Sequence, residues 1–102
     1  MKAFLPVLRE KKRYLVFEAI GNISQNELFS MIKASFASFF GILGLAKASP
    51  IIMEDYYKDN KGIIRVNRGY IDHARASLAL VQGVIVQSKY VGGSIRSAKE
   101  HI

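Results

Sequence analysis

The chain has 102 residues, half of them hydrophobic, and carries fifteen lysines and arginines against eight aspartates and glutamates. This length supports one domain spanning residues 1–102, and the hydrophobic share excludes a chain that is disordered throughout. The net charge of +7 favours a phosphate-rich partner or an anionic surface. The absence of cysteine excludes disulfides and thiolate metal sites, and it is compatible with the cytoplasmic location that we expect.

Neither of the usual membrane signals is present in the sequence. The N-terminus lacks the apolar stretch of a secretory signal. The most apolar segment, residues 34–46, lies between Lys33 and Lys47 and is shorter than the roughly 20 residues that a membrane span needs. We therefore expect a soluble protein with no membrane partner.

A run of cations leads directly into the first predicted strand. Arg9, Lys11, Lys12 and Arg13 fill four of five consecutive positions, and no Gly, Ser or Pro separates them from the apolar alternation that follows. A strand that begins at Arg13 would hold these cations at fixed positions on a sheet edge, which suits a polyanion better than a small molecule. The alternative is a solvated N-terminus that only keeps the protein soluble.

The hydrophobic pattern predicts the order strand, helix, strand, strand, helix, strand and final helix. Residues 1–8 contain Pro6 and show no hydrophobic periodicity, so we predict an arm there. The sequence leaves open whether this arm is ordered. A capping box at Ser24 and Glu27 starts the first helix, and Gly44 is its expected stop. The predicted ranges are strands 13–20, 47–57, 62–68 and 84–91, and helices from Ser24 to about residue 43, 70–82 and 95–101.

This order predicts an α+β fold of the ferredoxin-like, RRM-like type, a four-stranded antiparallel sheet (β-α-β-β-α-β) with an extra short C-terminal helix. In strand one, Leu15, Phe17 and Ala19 point to one face, and Tyr14 and Val16 point to the other. Because both faces are largely apolar, we expect the last helix or a partner to cover the face that the two long helices leave open.

Small side chains recur on one face of the first helix at intervals of four and three residues. Such a lane lets another backbone approach closely, whereas the alternative is an ordinary surface of low polarity. We predict that a protein partner docks there, together with the adjoining Phe40. The lane consists of Ser30, Ala34, Ala37, Gly41 and Gly44.

No catalytic constellation emerges from the sequence. His73 lies inside the second helix and His101 lies next to the chain end, each a lone histidine. Glu54 and Asp55 are adjacent on a predicted strand, so they point to opposite faces. Neither metal-ligand spacing nor a Gly-rich phosphate loop is present. We predict that the isolated chain has no activity and carries no cofactor of its own.

RNA is the favoured polyanion, because this sheet topology is a common platform for it. The third strand lacks the stacking aromatics of an RNA-recognition motif and carries Arg65 and Arg68, which favours contacts with phosphates over contacts with bases. The turn at residues 92–94 leads into a helix with Arg96 and Lys99, a second place where phosphates could bind. The alternative there is a capped helix with a basic face.

Three segments resemble a known family. Residues 8–14 (LREKKRY), 62–66 (GIIRV) and 93–96 (GSIR) are similar, in the same order, to archaeal ribonuclease P protein component 2, a relative of the eukaryotic subunits shared by ribonucleases P and MRP. The tail departs from the family pattern Ser-Gly-Thr-Ile-Arg, because this chain has Gly-Gly-Ser-Ile-Arg at residues 92–96. The resemblance covers nearly the whole chain and implies an archaeal source.

The resemblance implies a non-catalytic subunit of the ribonucleoprotein endonuclease that removes the 5′ leader from precursor tRNA. In that family the RNA carries the catalytic magnesium, the protein stabilises the folded RNA, and precursor tRNA is an indirect partner. It also implies a protein partner, component 3, in a heteromeric assembly that could be 2:2. We expect phosphate contacts from two groups, first Arg9, Lys11, Lys12 and Arg13, then Arg65, Arg68, Arg96 and Lys99.

Two other classes stay open. One is a ferredoxin-like protein–protein adaptor whose basic surface only aids solubility. The other is a stand-alone small enzyme or ligand sensor, which would need a pocket with convergent polar groups.

Overall fold

The computed structural model of the chain describes residues 11–102, so the arm at residues 1–8 and the cation Arg9 lie outside the described residues. The strands and α-helices are β1 (Lys12–Ile20), α1 (Gln25–Ala48), β2 (Ile51–Ile52), β3 (Lys61–Asn67), α2 (Ile71–Ala79), β4 (Ile85–Gly92) and α3 (Ile95–Lys99). Two short 3₁₀ helices, Glu54–Tyr56 and Arg68–Tyr70, lie between them.

The four strands form one antiparallel sheet in the order β2-β3-β1-β4. The order and the helix placement are those of the ferredoxin-like fold, and the predicted α+β class is confirmed. β1 lies between β3 and β4, at the centre of the sheet. Its side chains are apolar on both faces because both faces are covered there, as the two core clusters show.

The larger core lies between the sheet and the two long helices. Each of the three elements contributes side chains that are almost fully buried, so water is excluded from the whole layer. The sheet contributes Leu15, Phe17, Ala19, Ile64 and Val66, and the helices contribute Leu28, Phe29, Ile32, Phe36, Ala74 and Leu78.

Small polar residues let α1 and α2 approach each other closely. The Ser35 hydroxyl donates to the carbonyl of Ser77, which is fully buried. The Ser77 hydroxyl in turn donates to the carbonyl of His73 at 2.9 Å. Both hydroxyls are therefore satisfied where the helices touch, as buried polar groups require.

The final helix α3 covers part of the opposite face of the sheet. Val16, Ile63 and Ala98 form a second, fully buried cluster beneath it. The prediction that the last helix covers this face is confirmed. At its end the His101 ring stacks on Tyr90, with the ring centroids 3.8 Å apart.

The start of α1 agrees with the prediction in part. The Ser24 hydroxyl oxygen accepts from the Glu27 amide at 3.3 Å, as a capping residue does. The Glu27 carboxylate accepts from the Ser24 hydroxyl at 2.9 Å, however, whereas a capping box would use the Ser24 backbone amide.

The end of α1 differs from the prediction. Gly44 does not stop the helix, which continues to Ala48 and ends at Ser49, a residue with a left-handed φ of 49°. Gly41 breaks the helical geometry instead, with φ 73° and ψ 178°. Because Leu45 and Ala48 beyond the break still pack on the core, the chain resumes the helix after it.

By length and composition alone, α1 is long and apolar enough to cross a membrane, whereas the sequence predicted an apolar segment too short to do so. The core helix of a soluble protein can be equally long and apolar. Here Leu28, Ile32 and Phe36 of α1 are buried against the sheet.

The second strand is much shorter than predicted. β2 contains only two residues, because residues 47–48 belong to α1 and Pro50 cannot donate to a ladder upstream. Downstream, the chain turns into a 3₁₀ helix that contains Glu54 and Asp55. The prediction that these two carboxylates point to opposite faces of a strand is therefore wrong.

The sequence Asp59-Asn60-Lys61-Gly62 predicts a turn in which Gly62 supplies the positive φ, and the structure corrects this role. Positive φ values fall on Asp59 (52°) and Asn60 (66°), residue types that tolerate the left-handed region. Gly62 lies inside β3 opposite Phe17, and a Cβ at Gly62 would lie 2.7 Å from the Phe17 ring. This glycine is required for close packing and not for the turn.

We expect Gly62→Ala to lower the free energy of unfolding by about 1–3 kcal/mol, because the Phe17 ring must move from its packed position. Gly69→Ala is the matched control, since a Cβ there meets nothing within 4 Å and its φ is not positive. Urea unfolding measures both variants. Equal stabilities would show that the Phe17 ring does not constrain position 62.

Candidate nucleic-acid interface

One end of the sheet, where β1 begins and β3 ends, gathers cations. Lys12 pairs with Asn67 in the ladder between these strands. The Arg68 amide donates to the Lys11 carbonyl at 2.7 Å, which extends the pairing by one residue. Backbone hydrogen bonds therefore fix the positions of Lys11, Lys12, Arg13 and Arg68, and we call this region the basic end.

The turn from β4 into α3 lies beside the basic end. The Arg13 guanidinium donates to the Lys12 carbonyl at 3.1 Å. A Cβ at Gly93 would lie 3.4 Å from Arg13 Nη1, so the Arg13 side chain passes close over this glycine. Arg96, the second residue of α3, lies three residues after Gly93 and is exposed. The start of α3 therefore lies beside the basic end.

Lys99 does not join this group. Its ammonium lies 5.2 Å from the centroid of the Tyr56 ring, in the 3₁₀ helix after β2. A cation over an aromatic face is partly engaged already. The backbone amides at the start of α3 are also partly used, because the Ser97 amide donates to the Ser94 hydroxyl at 3.2 Å.

Arg65 lies two residues inside the basic end, opposite Tyr14 on β1 and Ile51 on β2. Its Nε atom is buried and makes no hydrogen bond within the part of the chain that the structure describes. A buried donor without a partner costs about 1–3 kcal/mol. The residue as a whole is only partly buried, so Arg65 adds positive charge at the side of the basic end, although its Nε is out of reach of a bound ligand.

Lys47 is a cation at this end that the sequence did not reveal. The Asn67 side chain donates to the Lys47 carbonyl, which places the last turn of α1 beside the end of β3. The prediction assigned Lys47 to a strand, so its position was missed. Continuing the apolar helical pattern beyond Gly44 would have placed it in the last turn, where a cation suits the helix dipole.

Acidic side chains in residues 11–102 are mostly remote from the basic end. Glu18 pairs with Lys89 at 3.5 Å, toward the other end of β1. Asp72, four residues after Arg68 and at the start of α2, faces Arg75 at 3.7 Å. Glu100 lies four residues after Arg96, at the end of α3. The basic end therefore presents an excess of positive charge.

A second surface lies on the outward side of α1. Ser30, Ala34, Ala37 and Gly41 of the predicted lane are exposed, and Phe40 is half-buried. Gly44 is only partly exposed, and a Cβ at this position would lie 3.0 Å from the Phe40 Cβ. Ala34 borders a groove of about 510 Å³ between α1 and the end of α2, which is also lined by Met31, Ser35, Ser38, Phe39, Leu80, Val81 and Gln82.

Large apolar side chains extend this surface beyond the predicted lane. Ile42 is 88% exposed, Leu43 is 76% exposed and Leu80 is 57% exposed. The spacing of apolar residues in the sequence predicts a stripe on the first helix that includes Phe39 and Leu43, but Phe39 is 42% exposed and Leu43 is 76% exposed, so both assignments are wrong. The break at Gly41 rotates Leu43 out of the helical period, while Phe39 packs on the Phe40 ring at 5.8 Å.

Neither surface offers a catalytic centre within residues 11–102. No group of three metal-ligating side chains is present in this range. The groove on α1 is lined by no titratable side chain. The stand-alone enzyme alternative therefore gains no site from the described residues.

Comparison with known proteins identifies the family. The model of the Rpp14/Pop5 family matches residues 13–102, from the basic end to the last residue after α3. The chain belongs to the Rpp14/Pop5 family. The match contains both the sheet that fixes the basic end and the helix with the exposed apolar side chains.

Relatives within this family carry the name that the sequence resemblance indicated. Ribonuclease P protein component 2 of Methanococcus vannielii is 39% identical over 82 residues, which are 78% of this chain and 62% of the relative. The protein of the same name from Methanocaldococcus jannaschii is 33% identical over 97% of this chain and 78% of the relative. The resemblance to component 2 is confirmed, although the chain spans only about three fifths of the Methanococcus vannielii protein.

A solved structure shares the fold. A chain in the cryo-EM structure of yeast ribonuclease MRP superposes with a TM-score of 0.63 over 84% of this chain and 76% of that chain. The two sequences are 16% identical, so this likeness establishes the fold alone.

Proposed function

We propose that the chain is a non-catalytic protein subunit of ribonuclease P, which binds and stabilises the catalytic RNA during 5′-leader removal from precursor tRNA. The observation that carries the proposal is the gathering of Lys11, Lys12, Arg13 and Arg68 at one end of the sheet, with the turn into α3 and its Arg96 beside it. The names of the archaeal relatives indicate which enzyme the subunit would belong to, namely ribonuclease P.

The geometry supports binding to phosphates rather than to stacked bases. α3 covers Val16 and Ile63 on the sheet face that an RNA-recognition motif uses for stacking. β3 carries no aromatic side chain, so an unstacked base finds no ring there. Cations at the rim of a sheet contact the RNA backbone, release counterions and read the shape of the RNA rather than its sequence.

In this proposal the protein neutralises charge and the RNA performs the chemistry. Bound cations allow RNA strands to pack closely, which lowers the concentration of magnesium that the folded RNA needs. The catalytic magnesium ions belong to the RNA, and the isolated chain cleaves nothing. Arg65, which is partly exposed and lies two residues inside the basic end, extends it. Arg9 stays a prediction, and the contact with Tyr56 makes Lys99 the weakest candidate.

The exposed face of α1 is the proposed contact with component 3. Ile42, Leu43 and Leu80 present apolar side chains to solvent, and a surface of this kind is characteristic of a protein interface. The predicted lane at Ser30, Ala34 and Ala37 would let a partner helix approach the α1 backbone.

A protein–protein adaptor without RNA is the second candidate, and the same face of α1 favours it. That alternative predicts no salt-dependent affinity for RNA, because it assigns the basic end to solubility only.

Reconstitution tests the proposed function. A ribonuclease P RNA and component 3 are assayed for precursor-tRNA cleavage across a magnesium series, with and without the chain. We expect the chain to lower the magnesium concentration for half-maximal cleavage and to cleave nothing alone. An unchanged magnesium requirement would reject the accessory role and favour the adaptor.

We expect Lys12→Ala to weaken RNA binding similarly across RNA sequences and to reduce the slope of log affinity against log salt by about one unit. Lys58→Ala is the matched control, because it removes the same charge from an exposed position near the opposite end of β3. Equal slopes for the two variants would remove Lys12 from the interface.

For the protein interface, we expect Leu43→Asp to weaken binding to component 3 by more than tenfold, because a buried carboxylate would lose its hydration at the contact. Ala37→Arg should block docking along the lane in the same way. Ile85→Asp is the control, since Ile85 is 62% exposed and belongs to β4 rather than to α1. Co-purification and calorimetry measure the binding, and unchanged affinity for both α1 variants would refute this interface.

A further inference from the structure

Asn67 occupies a position where three elements meet at the basic end. It is the last residue of β3, it pairs with the first residue of β1, and it is only 5% exposed. Its side-chain oxygen accepts from the Lys12 ammonium, and its side-chain nitrogen donates to the Lys47 carbonyl at the end of α1. One buried amide therefore joins β1, β3 and α1.

The two contacts require an amide. An ammonium only donates and a carbonyl only accepts, so the orientation of the Asn67 side chain is fixed by its partners. The Lys47 carbonyl is one of the last carbonyls of α1, which have no partner inside the helix. An aspartate would lose the bond to this carbonyl, and a leucine would lose both bonds.

Lys12 has donors left after this contact. Its ammonium carries three N–H groups, of which the Asn67 oxygen engages one, and its side chain is partly exposed. A free lysine side chain loses much rotamer freedom when it is fixed on a phosphate. A lysine that Asn67 already holds loses less, and such preorganisation strengthens binding without any new contact.

We propose that Asn67 is a positioning residue that holds the Lys12 ammonium in place for an RNA phosphate. The proposal rests on the proposed function, because it assumes that the basic end binds RNA. Asn67 itself makes no contact with the RNA and acts through Lys12. Its bond to Lys47 keeps the amide oriented, so the end of α1 is part of the same support.

A double-mutant cycle tests this role. The wild-type chain, Asn67→Ala, Lys12→Ala and the double variant are titrated with one ribonuclease P RNA at several salt concentrations. We expect Asn67→Ala to weaken binding by about tenfold, the effect of ordering one lysine side chain. In the Lys12→Ala background the same substitution should change affinity less than twofold, because Lys12 is no longer there to be positioned.

Unfolding measurements separate positioning from a general loss of structure. Asn67→Ala also removes the partner of the Lys47 carbonyl, so it should lower stability in both backgrounds. A merely structural role would therefore weaken RNA binding in both backgrounds, whereas positioning weakens it only where Lys12 is present.

The isosteric change Asn67→Asp provides a second variant should the alanine variant fail to fold. The carboxylate would pair with Lys12 and withdraw its charge from the RNA, which should reduce the salt slope by about one unit. Asn26→Asp is the matched control, because it adds the same charge at an exposed residue in the first turn of α1. That turn lies roughly 20 Å before Gly41 along the unbroken part of α1, beyond the screening length of about 10 Å at 0.1 M salt.

The outcomes are distinguishable from failure of the proposed function. Absence of RNA binding by the wild-type chain would overturn both proposals. Salt-dependent binding by the wild-type chain together with equal losses from Asn67→Ala in both backgrounds would overturn only the positioning role. Equal salt slopes for Asn67→Asp and Asn26→Asp would also overturn it.

Discussion

Pairing of β1 on both of its edges is the constraint on which the rest of the structure depends. Its ladder with β3 places Lys12 opposite Asn67, and its ladder with β4 brings Gly92 beside Tyr14. A slip of one residue would turn Leu15 and Phe17 out of the core, and it would move the cations to the other face. The hydrophobic core therefore fixes the geometry of the basic end, because burial of Leu15 and Phe17 sets the register of β1 and with it the positions of the cations on the same strand.

The chain uses the two faces of this sheet differently. The face toward α1 and α2 holds the large core, while the opposite face is covered by α3 through Ala98 and the stack of His101 on Tyr90. A helix this short buries little apolar area. It nevertheless covers the sheet face on which bases stack in an RNA-recognition motif, whereas the cations of the basic end lie at the rim of the sheet.

Pattern and spacing predicted the order of the elements, the two-sided character of β1 and the α+β class, because each depends on local alternation or on repeated apolar positions. They failed where the packing of one residue against a distant one decides the structure. Gly44 resembles a helix stop, yet Leu45 and Ala48 find the core and the helix continues through the break at Gly41. Gly62 resembles a turn glycine, yet the ring of Phe17 is the reason for it.

The candidate site likewise contains residues that the sequence pattern predicted and residues that it did not. The cations of β1 were visible as a run in the sequence, and Arg65 and Arg68 followed from the predicted strand. Lys47 and Asn67 were not visible, since their importance arises from a contact between the end of α1 and the end of β3. That contact connects the two surfaces of the molecule. Beyond Gly41, α1 carries the exposed Ile42 and Leu43, and its last turn is held by the same amide that holds Lys12. Asn67 therefore links the two surfaces, because it bonds to the Lys47 carbonyl at the end of α1 and to the Lys12 ammonium at the basic end. A protein bound to that part of α1 and an RNA bound at the basic end would each contact a residue next to this amide.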